Sequence, residues 1–193
     1  MQNNLTGARA DKIIFLDTET TGLNYDGTDE IVEIAIVDGC NNILLHSYVK
    51  PDNHSQWPEA EAIHHITPDM VKDAPSISDL QPLINEIFDN AEHVIIYNSD
   101  YDMKFLNPVL DKDHDDKLHC CMKDFAEFYG EWNEQRGSFK FKSLSFSMDY
   151  YSQEWRGDAH GALADTFACK AVWEQLHPDF SQPVIAAAKN RGR

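Results

Sequence analysis

At 193 residues the chain is long enough for one domain with a full core and too short for two, so one domain over 1–177 and a tail over 178–193 are expected. Its 33 acidic against 16 basic residues give a formal net charge of -17, which argues against a broad duplex-binding surface and does not exclude a narrow cleft that takes a single strand end. No apolar run approaches the about 18 residues of a membrane span, and MQNNLTGARAD lacks the apolar middle of a signal peptide, so a cytoplasmic location without membrane association is expected.

Asp11 to Leu23 reads DKIIFLDTETTGL. The run Ile13-Ile14-Phe15-Leu16 suits a short buried strand, and it stops at Asp17-Thr18-Glu19. If the chain stays extended through Glu19, side chains two apart share a face and the two carboxylates converge at the strand's carboxyl end. Like charges held together call for a cation or a shared proton. A lone D-x-E is more simply a solvated strand end, so a site needs further ligands.

A polar loop over 22–29 leads to a second strand at Ile31 to Val37, and Asn41-Asn42 turns the chain into a third from Ile43 to Val49, an antiparallel meander. Short helices are expected from Pro58 to Ile66 and from Thr67-Pro68, since proline suits a first helical position. Ser76 caps a longer helix with Ile77, Leu80, Leu83, Ile84, Ile87 and Phe88 on one stripe. A fourth strand, His93 to Tyr97, delivers NSDYD, with Asp102 at the start of the following helix. In open α/β sheets that junction is where ligands bind.

DKDHDDK at 111–117 lacks the glycine and closing glutamate of a calcium loop and reads as solvated. Leu118 to Cys121 is a short fifth strand and Met122 to Tyr129 a helix. Cys40, Cys120, Cys121 and Cys169 have no metal-finger spacing and read as reduced thiols, and His119 reads as a partly buried strand end. EWNEQRGSFKFK at 131–142 mixes Trp132, Phe139 and Phe141 with Arg136, Lys140 and Lys142. It is either a base-stacking surface or a half-packed hairpin. Ser143 to Tyr151 is helical. After HGALAD at 160–165, Asp165, Ala168, Cys169, Val172 and Leu176 recur at helical spacing, which puts a carboxylate on a core-facing stripe. A buried carboxylate is expensive alone, so Asp165 needs a partner, and a metal ion is the natural one.

Asp17, Glu19, Asp102 and Asp165 thus stand out for separate reasons and outline an oxygen-only site. Hard oxygen ligands favour Mg²⁺ or Mn²⁺, and four carboxylates suffice for two such ions. His160 supplies a base, since an imidazole can take a proton from water near neutral pH. Asp17-x-Glu19 in DTETTGL, Asn98-x-x-x-Asp102 in YNSDYDMKFL and His160-x4-Asp165 in HGALAD resemble the three motifs of the DnaQ-like 3′→5′ exonucleases, DEDDh branch, the group that includes the polymerase III proofreading subunit, RNase T and exodeoxyribonuclease X. DEIVEIAIV at 29–37 and AIHHITPDMV at 62–71 extend the resemblance over roughly residues 12 to 176.

The resemblance implies a ribonuclease H-like α/β fold, a mixed five-stranded sheet flanked by helices. By position, Asp17 would bridge both divalent cations, Glu19 and Asp165 would complete one and Asp102 would serve the other, with His160 as general base. Thr18, Thr20, Thr21, Gly22 and Leu23 would meet the terminal nucleotide, with Asn98 orienting by a hydrogen bond. Two departures, Tyr97 where histidine is common and His65 where glycine is common, bear on subfamily and substrate. The function implied is release of nucleoside 5′-monophosphates from the 3′ end of DNA, single-stranded ends favoured. The alternatives are an RNase T-like or oligoribonuclease-like exoribonuclease, and a proofreading subunit docked on a polymerase or other protein through the tail. A homodimer is compatible with either.

Overall fold

β1 (Ile13–Thr20) is the middle strand of a five-stranded sheet in the computed structural model, which describes residues 9–24, 28–157 and 159–178. β2 (Ile31–Asp38) and β3 (Ile43–Tyr48) continue from it antiparallel, while β4 (His93–Ile96) and β5 (Leu118–Cys120) add in parallel on its other side, in the order β3-β2-β1-β4-β5. This is the expected mixed sheet, with strand ends within a residue or so of those read from the sequence. The carboxyl ends of the parallel strands β1, β4 and β5 emerge on one side, and the acidic motifs lie there.

Helices cover both faces. On one, Ile14 and Leu16 pack with Ile84 and Phe88 of α3 (Ile77–Asn90) and with Phe105 and Leu106 of α4 (Ser99–Leu106). On the other, Ile13 and Phe15 meet Phe125 of α5 (Cys121–Tyr129), Met148 of α6 (Leu144–Tyr150) and Val172 and Trp173 of α7 (Ala162–Leu176). Because β1 alternates without interruption, its continuation sends Asp17 and Glu19 toward α7, and Thr18 and Thr20 toward α4. A break in register between Glu19 and Thr20 ends the regular pairing with β2, an irregularity typical of sheets beside active sites.

Two small helices, α1 (Pro58–His64) and α2 (Pro68–Val71), pack through Trp57, Ile66 and Val71 on Val32. His65 closes α1 with φ 62°, in the left-handed region that favours glycine. That explains why a glycine is the common residue there, and histidine tolerates the conformation better than most side chains. Residues 131–142 form a hairpin from β6 (Trp132–Asn133) and β7 (Ser138–Phe139). Trp132 stands edge-on to Phe139, and Lys140 and Lys142 both pair with Glu131. All four cysteines are free thiols, and His119 bonds to His93 inside the fold. Among the described residues no helix is long and apolar enough to cross a membrane. The expected docking tail lies outside the described residues from 179 onward.

Candidate active site

The extended path through DTET brings Asp17 and Glu19 onto α7's face, and Asp165, in the first turn of α7, comes down to meet them. One carboxylate oxygen from each lies within 4.8 Å of the others. Asp102 approaches from the opposite face, on the first turn of α4. It is only 3% exposed, and its Oδ1 accepts the backbone N–H of Thr18 at 3.1 Å and the Thr18 hydroxyl at 2.8 Å. Of its carboxylate neighbours, Asp102 is the one that repels Asp17 most strongly. Asp17 thus meets Glu19 and Asp165 closely and also feels the charge of Asp102. His160 is exposed, with φ 67°, and its backbone N–H donates to Asp165 Oδ1 at 3.1 Å.

Among the described residues no cation pairs with any of these four carboxylates, and their electrostatics show the consequence. Burial first, and then repulsion from Asp102, Asp165 and Glu19, hold the Asp17 carboxyl well above the usual range. Burial and repulsion from Asp165 and Glu33 push Glu19 up to about 9. Asp102 rises to about 7 through burial, opposed by its two bonds from Thr18. Asp165 is raised by burial, with the His160 N–H offsetting part of it. Hard oxygen donors, half-buried or deeper and, among the described residues, without a salt bridge, fit a divalent cation such as Mg²⁺ or Mn²⁺.

A pH dependence follows. A carboxyl with a raised folded-state pKa binds its proton more tightly when folded, so its stabilisation is complete below the unfolded value and is lost as pH rises through the folded one. For Glu19 that window runs from about 4.5 to about 9. In chelator, the melting temperature is expected to fall by several degrees between pH 5 and pH 9, at about 2–4 °C per kcal/mol for a chain of this size. Glu19→Gln should flatten the slope, and saturating Mn²⁺ at pH 8 should restore the loss. A slope unchanged in Glu19→Gln, or a melting temperature indifferent to Mn²⁺, would contradict this assignment.

Beside the carboxylates opens a cleft of about 780 Å³, lined among others by Thr21, Leu23, Trp57, Ile63, His64 and Tyr101. Leu23 is 71% exposed at its mouth. The threonines expected at a substrate have internal partners instead: Thr18 holds Asp102, Thr20 donates to the Gly22 carbonyl at 2.7 Å, and Thr21 donates to Asp29 at 2.8 Å. A Cβ on Gly22 would fall 2.6 Å from that Asp29 carboxylate, so this turn admits only glycine without rearrangement. Asn98 is the N-cap of α4, and its side chain makes no capping hydrogen bond.

Three contributors were not singled out from the sequence. The Tyr101 hydroxyl lies 2.5 Å from the Thr20 hydroxyl and donates to the Gly22 carbonyl at 3.0 Å, which pins the turn. His64 Nδ1 accepts the Ile66 N–H, so its Nε2 carries the proton facing the Thr20 carbonyl at 3.2 Å. Glu33, 6% exposed, accepts the Ala162 N–H at the start of α7.

A carboxylate cluster of this kind at the carboxyl end of a mixed ribonuclease H-like sheet defines a class, the divalent-metal nucleases. The comparisons give the family. A family model described as an exonuclease, of the RNase T type, matches residues 14–173. The uncharacterized exonuclease CP81 of Escherichia phage 186 is 36% identical over 165 residues, 80% of this chain and 82% of that protein. The DNA polymerase III subunit epsilon of Buchnera aphidicola subsp. Schizaphis graminum is 36% identical over 170 residues, 81% of this chain and 70% of its own. Among solved structures, exonuclease X in complex with 5′-overhanging duplex DNA superposes with a TM-score of 0.67 at 27% identity, covering 86% of this chain and 91% of that one. The nuclease domain of 3′hExo, a DEDDh family member bound to rAMP, shares the fold at TM-score 0.69 and 18% identity, covering 89% and 94%. The chain belongs to this exonuclease family.

Proposed function

We propose that the chain hydrolyses the terminal phosphodiester of DNA from the 3′ end, favouring a single-stranded end and releasing nucleoside 5′-monophosphates. The observation that carries this reading is the meeting of Asp17, Glu19 and Asp165 within 4.8 Å, with Glu19 also lining the cleft and the His160 backbone bonded to Asp165. Asp17 would be shared by two divalent cations, Glu19 and Asp165 completing one set and Asp102 the other. This division is supported by the close approach of Asp17, Glu19 and Asp165 and by the strong repulsion between Asp17 and Asp102. Bound there, Mg²⁺ or Mn²⁺ would supply Lewis-acid stabilisation of charge on the phosphate oxygens and make water more acidic.

The remaining work belongs to the chain's own residues. The His160 imidazole takes the proton from the attacking water, held near the cluster by the backbone bond to Asp165. The pinned Thr20–Gly22 turn presents its backbone to the 3′ end, and Leu23 contributes an apolar surface for the terminal base. DNA as substrate draws support from the exonuclease X complex and the polymerase III epsilon relatives.

The test is side-by-side digestion of 3′-labelled single-stranded DNA, 3′-recessed duplex and RNA under Mg²⁺ or Mn²⁺. Labelled nucleoside 5′-monophosphate is expected to appear first from single-stranded DNA, with RNA at least about tenfold slower, a ratio of about 1.4 kcal/mol. Faster release from RNA would assign an exoribonuclease. No release by the isolated chain from any of the three would favour a role as a docked polymerase subunit.

A further inference from the structure

We infer that Glu33, a residue no motif assigns, is the positioning residue that holds the start of α7, and with it Asp165 and His160, against the metal-binding cluster. The inference rests on the exonuclease reading only for the chemistry that Asp165 and His160 perform. Helix α7 begins at Gly161, which has no side chain to cap its first N–H groups. The group that does so comes from the sheet: Glu33 Oε2 accepts the Ala162 N–H at 2.9 Å, 129 residues away in sequence. Its other oxygen, Oε1, lies 2.8 Å from His46 Nε2 of β3, so both oxygens are engaged.

Three features mark this as more than an ordinary helix cap. Glu33 is directly across from Glu19 in the β1–β2 register, so the strand that carries a cluster carboxylate and the helix that carries another are tied through one side chain. The held N–H is two residues beyond His160 and three before Asp165, and Asp165 in turn holds the His160 N–H. Finally, a buried carboxylate repels Glu19 and Asp165, a cost that an apolar residue in the same strand would avoid. A cap supplied from the adjacent strand, at the correct reach, is what that cost secures. Groups that orient ligands in this way typically affect metal affinity or activity 10–100-fold.

The test separates reach from charge. Glu33→Asp keeps the charge but draws the acceptor back by one methylene, whereas Glu33→Gln keeps the reach and loses the charge. In the full chain, Glu33→Asp is expected to lower kcat about tenfold or more, with KM within about threefold. It should also lower Mn²⁺ affinity, measured by calorimetry without nucleic acid, by about tenfold. Glu33→Gln, whose amide oxygen still accepts the Ala162 N–H, is expected to stay within about threefold of wild type in both. Faster hydrogen exchange at the Ala162 amide in Glu33→Asp, with the β1 amides unchanged, would support the inference without reference to activity. Wild-type kcat and Mn²⁺ affinity in Glu33→Asp would overturn it, as would a Glu33→Gln variant as impaired as Glu33→Asp. A wild-type chain that binds Mn²⁺ but digests no nucleic acid would refute the exonuclease reading and leave the calorimetric and exchange arms intact.

Discussion

Asp17→Asn is expected to reduce release of the 3′-terminal nucleotide by at least about 10³-fold while raising the melting temperature of the metal-free protein at pH 8. The two effects share one cause. Asp17 meets Glu19 and Asp165 closely and is strongly repelled by Asp102, which makes it the carboxylate both proposed ions would need, and removing a group that acts on the reacting centre costs about this much or more. It is also repelled by Asp102, Asp165 and Glu19, in that order, on top of burial. A neutral, nearly isosteric amide removes that repulsion where no cation is present. In saturating Mn²⁺ the order should reverse, because the wild type gains binding energy that the variant forfeits. The measurements are nuclease assays and melting curves of both proteins in chelator and in Mn²⁺. Retained activity would refute the site, and a variant less stable than wild type in chelator would refute the repulsion.

Much of this site is legible in local sequence pattern because each motif residue sits where two simple rules collide. Asp17 and Glu19 interrupt an apolar strand at its carboxyl end, Asp102 opens a helix just after a strand, and Asp165 occupies an apolar stripe. Each is an acidic residue where packing calls for something else. The strand alternation that paired Asp17 with Glu19 also implies that Thr18 and Thr20 face away from them. Thr18 accordingly bonds to Asp102, and its hydroxyl lies in the interior.

What local pattern cannot convey is contact across the chain. Glu33 lies inside IVEIAIV, where it reads as the polar step of an ordinary strand, and its partners are 13 and 129 residues away. The Tyr101 hydroxyl finds Thr20 and Gly22 some 80 residues upstream. These are the groups that hold the motif residues in place, and their identity depends on how β2, α4 and α7 come together on β1. His65 is an intermediate case. Its departure from the common glycine is visible in sequence, but its physical meaning, a left-handed φ of 62°, is not.

His160→Ala is expected to lower kcat by about 10²–10⁴-fold, the range for loss of a general base, with KM and Mn²⁺ affinity within about threefold of wild type. The residue is exposed and its hydrogen bond to the cluster is made by the backbone N–H, so truncating the ring keeps that bond to Asp165. That same backbone introduces a second effect to be separated. His160 has φ 67°, a conformation alanine adopts less readily than histidine, so part of any loss in His160→Ala could come from a displaced loop and a freed Asp165. His160→Gly removes the ring and accepts the same φ without strain. Equal kcat losses in the alanine and glycine variants, with Mn²⁺ affinity preserved in both, would assign the whole effect to the imidazole. A glycine variant restored toward wild type would show that the loop conformation matters and the proton acceptor lies elsewhere.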